Sequence, residues 1–92
     1  MKRKIIIEIE VLRSGQPKDY ADSVYEAIYV ISDPDNNTWI PERDTVLHYV
    51  RANYNEDFTL RGEGVGPHTF LHTLERIVDN RWRVIIVSPW KD

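Results

Sequence analysis

The segment Arg81–Pro89, reading RWRVIIVSP, constrains the fold more than any other. As a strand it sends Trp82, Val84 and Ile86 to one side and Arg83, Ile85 and Val87 to the other. Apolar residues on both sides place such a strand in a sheet interior, flanked by neighbours and covered on its faces. Pro89 has no N–H to give the ladder, so the strand stops near Ser88. The rest of the chain must supply what surrounds it.

The stretch just before it is read as a helix. Pro67 suits a first helical position, where its missing N–H costs nothing. Phe70, Leu71, Leu74, Ile77 and Val78 then recur at spacings that form one helical stripe. The spacing predicts a helix over 67–80, closed by Asn80, which tolerates the left-handed cap conformation.

Towards the N-terminus, Lys4 to Leu12 alternates as a half-buried strand. Ile5, Ile7, Ile9 and Val11 share one face; Lys4, Glu8 and Glu10 share the other, with Ile6 and Leu12 as apolar exceptions. Residues 13–18, with Ser14, Gly15 and Pro17, read as a turn or loop. Residues 19–32 support two readings. Tyr20, Val24, Ala27, Ile28 and Ile31 fit a helical stripe, yet Ser23–Ser32 is rich in strand formers. The DPDNN turn at 33–37 and the following Thr38, Trp39 and Ile40 favour a hairpin with a return strand. Residues 41–54 predict a helix with Val46, Leu47, Val50 and Tyr54 on its apolar face; 58–60 suit a short edge strand.

These elements make a single α+β domain over residues 1–92, with an antiparallel or mixed sheet of about four strands and two helices on one face. The expected order is strand, strand, strand, helix, short strand, helix, strand. The alternative places a helix at 17–31 and gives a ferredoxin-like alternation. With a formal charge of −3, the chain lacks the basic field that drives nucleic-acid binding. It has no cysteine, which excludes disulfides, thiolate catalysis and Cys-type zinc sites. The basic, then apolar start MKRKIIIEIEV is interrupted by Glu8 and Glu10 too early for a signal peptide. No run approaches the roughly 18 apolar residues of a membrane span, so a cytoplasmic location is expected.

Three constellations carry chemistry. Gly62, Gly64 and Gly66, with Arg61, Glu63 and Val65, form a loop open to approach by a partner main chain. Glu63, Pro67 and His68 do not fit a phosphate-binding loop. Arg61, Arg76, Arg81, Arg83 and Trp90 interleave basic and aromatic groups of the kind that contact phosphates and bases. On the predicted helix, His68, His72, Glu75 and Asp79 share an arc of about 60° and form a weak metal candidate. Thr69 stands where the zinc pattern His-Glu-x-x-His needs its glutamate, so a solvated polar face is the plainer reading. Asp44 and His48 are one helical turn apart, and no nucleophile elbow or complete catalytic set is present.

The expected function is a non-enzymatic protein-binding module that needs no cofactor: a small regulator or inhibitor of a larger protein or nucleoprotein assembly. A virus- or mobile-element-encoded inhibitor fits that description. The alternatives are nucleic-acid binding through the arginine-aromatic set and a small enzyme or metal protein using the histidine face. If loop 61–66 recognises the partner, Arg61→Ala with Glu63→Ala leaves the melting temperature nearly unchanged. It weakens partner binding by about 1–3 kcal/mol. Calorimetry of the double variant checks this, and unchanged affinity removes the loop from the interface.

Overall fold

Val84, Ile85 and Ile86 lie in the central part of a sheet, flanked on both edges. The computed structural model describes residues 3–18, 20–54, 56–60 and 68–90. Its elements are β1 (Ile6–Gly15), β2 (Ser23–Ser32), α1 (Arg43–Asn53), β3 (Thr59–Leu60), β4 (Phe70–Val78) and β5 (Arg81–Ser88). The five strands form one mixed sheet in the order β1-β2-β5-β4-β3. All pairs are antiparallel except β3 with β4, which is parallel. The α+β class is observed, but the expected four strands and two helices become five strands and one helix.

The helix expected at 67–80 is instead β4, and two bulges explain the misreading. Register slips between Leu71 and Thr73, and again between Arg76 and Val78. A bulge adds one residue to a strand, so residues three apart come to share a face. Leu71 therefore lies opposite Ile86, Leu74 opposite Val84, and Arg76 opposite Trp82. A helix also brings residues three and four apart together, so the two structures leave the same apolar spacing. Asn80 caps no helix. It and Asp79 form the two-residue turn of the β4–β5 hairpin, with Asp79 at φ 47°. The Ile31 N–H donates to the Asn80 carbonyl at 3.1 Å, tying this turn to β2.

Residues 23–32 are a strand, which removes the helix alternative at 17–31 and its ferredoxin-like alternation. The return strand expected at Thr38–Ile40 is not formed, because β1 and β5 already occupy both edges of β2. The DPDNN segment turns the chain towards α1 instead. Asp33 Oδ1 accepts from the Asp35 N–H at 2.9 Å, and the Asn36 N–H donates to the Asp33 carbonyl at 3.0 Å. The Arg3 guanidinium pairs with Asp33 at 3.2 Å and lies 4.6 Å from the centre of the Trp39 ring. β1 runs on through Arg13 and Ser14, past the expected turn, with a bulge between Val11 and Arg13. It ends at Gly15, whose φ of 124° suits a residue without a side chain.

The core lies between α1 and one face of the sheet. Val46 and Val50 of α1 are fully buried with Ala27, Tyr29 and Ile31 of β2. Leu71 and Leu74 of β4 and Trp82, Val84 and Ile86 of β5 complete the cluster. Trp82 points inward as expected and is 6% exposed, and Leu74 is core despite belonging to a strand. Leu74→Ala removes buried methyl groups opposite Val84 and is expected to cost about 2–5 kcal/mol. Urea unfolding measures this; a midpoint that barely moves would contradict the packing.

Candidate functional site: an open strand edge beside a tyrosine groove

β1 is the sheet's first strand, and no other described strand pairs with its outer edge. It is also long, with 10 residues, and apolar on both faces. Ile6, Ile9, Val11 and Leu12 are 47%, 39%, 52% and 48% exposed. Ile9 and Val11 share the helix-side face with Ile7, as their pairing with Tyr29, Ala27 and Ile31 shows. Of this strand Ile7 packs against the core, as does Ile5 just before it.

Beside the exposed part of β1 runs a groove of about 430 Å³, lined by Ile9, Val11, Ser14, Tyr25, Asn53, Tyr54 and Glu56. A second hollow of about 250 Å³ shares Ser14, Tyr25, Tyr54 and Glu56 and extends the groove to Ser23, Val24 and Ser88. Its wall is a stack of aromatic rings. Tyr25 and Tyr54 lie 5.1 Å apart between centroids, and Phe58 lies 5.8 Å beyond Tyr54. The C-terminal end of α1 carries Asn53 and Tyr54 into this wall, and β2 carries Tyr25.

The wall's hydroxyls are held by the fold. The Tyr25 and Tyr29 hydroxyls are 3.4 Å apart. Burial, then the Tyr25 hydroxyl, pushes the Tyr29 phenol far above its ordinary value. Burial also raises Tyr54, helped by the Glu56 carboxylate and opposed by the Ser88 hydroxyl. Ser88 in turn lies 2.9 Å from Thr69 Oγ1, which joins the groove to the start of β4. Both phenols stay protonated near neutral pH. At the groove, Tyr54 offers a hydroxyl and a ring face rather than a proton-abstracting base, while Tyr29 is fully buried.

The opposite face of the sheet has a different character. Arg13 Nε donates to Glu26 Oε1 at 2.9 Å, and Arg83 Nε donates to Glu26 Oε2 at 2.9 Å. Arg83 Nη1 reaches Glu75 at 3.5 Å. This ladder crosses β1, β2, β5 and β4, with the Glu26 side chain 12% exposed at its centre. The hydrogen bond from Arg83, followed by the charges of Arg83 and Arg13, holds the Glu26 carboxyl below its usual value against the cost of desolvation.

Comparison with protein-family models, curated proteins and solved structures returns no match. The loop Arg61, Gly62, Glu63, Gly64, Val65 and Gly66 lies outside the described residues, as does Pro67. The arginine-aromatic set does not converge. Arg76 shares the helix-side face with Trp82, while Arg83 lies on the other face, locked to Glu26 and Glu75. Trp90 meets Tyr20 edge-on at 4.9 Å, and its backbone N–H donates to Asp22 Oδ1 at 2.9 Å. The histidine arc loses its basis with the helix. His72 occupies a bulge, and among the described residues no three His, Asp or Glu side chains gather as a metal cluster. No described helix is long and apolar enough to cross a membrane.

The groove residues Ile9, Val11, Tyr25 and Tyr54 were not singled out by the sequence. Their signal was the apolar surplus on both faces of the first strand.

The ladder carries a pH signature. Because Glu26's folded pKa is depressed, its contribution is complete above the ordinary glutamate value of 4.5. It is lost as pH falls through the folded value. The stability gap between the native chain and Glu26→Gln should be widest at neutral pH and narrow below about 4.5. Urea midpoints across pH test this; a constant gap would place the loss in packing rather than charge.

Proposed function

We propose that this chain is a non-enzymatic protein-binding module, a small regulator or inhibitor of a larger assembly, that takes up an extended segment along β1. The observation that carries the reading is the open outer edge of β1, long and bordered by exposed aliphatic side chains. An incoming strand on such an edge gains main-chain hydrogen bonds along its length, while side-chain pockets set its specificity. The tyrosine-walled groove lies on the same face as Ile9 and Val11 and supplies such pockets. Tyrosine suits this role, because it offers a large, stiff contact area with one polar tip.

The electrostatics favour binding over catalysis. The shifts found among the described residues move Glu26 down and Tyr29, Tyr54 and Arg83 up, away from neutrality in each case. The dispersed arginines and net charge of −3 weigh against a nucleic-acid surface.

Ile9→Lys with Val11→Lys tests the reading, since both side chains already reach solvent; an unchanged melting temperature is the control that the fold is kept. Pull-down from the native host, with and without nuclease, is compared for the native chain and the variant. The variant is expected to lose the captured protein, with binding weakened by about 1–3 kcal/mol. Equal capture by both would remove β1 from the interface, and capture abolished by nuclease would favour the nucleic-acid reading.

A further inference from the structure

The exposed strand carries its own complement. Glu8 and Glu10 lie on its face away from the helix, and Lys4 stands two residues before the strand begins. Two copies of an edge strand joined antiparallel about a twofold axis pair residue i with residue j at a constant sum, so each register has one self-paired residue. With that axis normal to the sheet, residues of the same face meet.

Like charge excludes several of these registers. Centring on Glu8 sets Glu8 against its own copy, and centring on Glu10 does the same to Glu10. Centring on Ile9 sets Glu8 against Glu10 twice. Directly opposed like charges on neighbouring strands are destabilising. Centring on Ile7 has no such conflict. Lys4 then faces the second copy's Glu10 at both ends, Ile7 faces Ile7, and Ile5 faces Ile9. Ile6 faces Glu8, and Arg3 faces Val11. Centring on Ile6 also avoids like charge, with Lys4 opposite Glu8, but from Arg3 onward it pairs only residues 3–9, against 3–11 in the register centred on Ile7.

We infer that the extended segment taken up by β1 is β1 of a second copy of this chain, in the register centred on Ile7. The inference rests on the strand-uptake reading above and names its partner. It joins two five-stranded sheets into one continuous sheet with both helices on the same face. Pairing runs from Arg3 to Val11 and stops where the bulge between Val11 and Arg13 breaks the register. The half-exposed Ile9 gains Ile5 of the other copy as a cross-strand neighbour.

Light scattering on the eluting protein, over a concentration series, tests the inference. The native chain should show twice the 10.9 kDa monomer mass. Glu10→Lys sets lysine against lysine at both ends and should weaken the dimer by roughly tenfold or more. Lys4→Glu combined with Glu10→Lys swaps the charges and should restore it. Because the chain has no cysteine, Ile7→Cys introduces a single thiol that sits at the twofold axis. It should form a disulfide-linked dimer on mild oxidation, while His72→Cys on β4 should not.

A native chain that stays monomeric overturns the inference, as does a dimer indifferent to the Lys4 and Glu10 charges. Cross-linking through Ile6→Cys but not Ile7→Cys overturns the register. The strand-uptake reading is judged separately. A monomer that still captures a host protein, lost in the Ile9→Lys and Val11→Lys variant, preserves that reading with a different partner. A monomer with no β1-dependent capture removes both.

Discussion

Among the described residues one short helix has to cover a wide sheet, and it cannot. At 11 residues, α1 is about 16 Å long. It buries Val46 and Val50 over β2, β5 and β4, and these three strands supply the sheet's part of the buried cluster. β1 receives little cover: beyond Ile7 its helix-side residues emerge into solvent. The groove exists because α1 ends there, at Asn53 and Tyr54, while β1 and β2 continue beneath. The exposed edge and the aromatic wall both follow from this mismatch of helix length and sheet width.

The other face of the sheet has no described helix over it, yet Ile85 is only 8% exposed. It lies directly opposite Glu26, at the centre of the arginine-glutamate ladder. Isolated surface ion pairs contribute little, because water screens them and ordering two long side chains costs entropy. Here Glu26 accepts from two arginines while nearly buried, and Arg83 also reaches Glu75. Shared partners of this kind hold one another in place, so the ladder fixes the relative register of four strands. That constraint matters most for β1, which has a neighbour on only one side.

The sequence made the sheet legible and hid half of its connections. The apolar run of β5 announces an interior strand, and the alternation near the N-terminus announces β1. The failure at 67–80 has a specific cause. Bulges after Leu71 and Arg76 turn a period of two into spacings of three, and Leu71 with Leu74 then imitates a helical stripe. The Asp79-Asn80 pair was the corrective signal, since both residues favour tight turns as much as helix ends. The missing return strand at 38–40 could not be judged locally. It depends on both edges of β2 being taken, which is a property of the whole topology. The groove was illegible for the same reason: Val11, Tyr25 and Tyr54 are distant in sequence and meet only when α1 stops short.

An exposed edge strand is a hazard that proteins usually blunt with charge, a bulge or a short length. β1 has the first two devices, but their placement is uneven. The bulge lies after Val11, beyond most of the aliphatic residues, and leaves the stretch from Ile6 to Val11 regular. Along that stretch the charges, Glu8 and Glu10, lie on the face away from the helix, whereas the helix-side face presents Ile7, Ile9 and Val11 without interruption. Charges spread to repel every partner would occupy both faces and recur along the strand. Glu8 and Glu10 instead penalise those alignments that would set like charges against them. Such a pattern leaves the edge usable while limiting how it is used, which is the behaviour required of a specific strand-pairing surface.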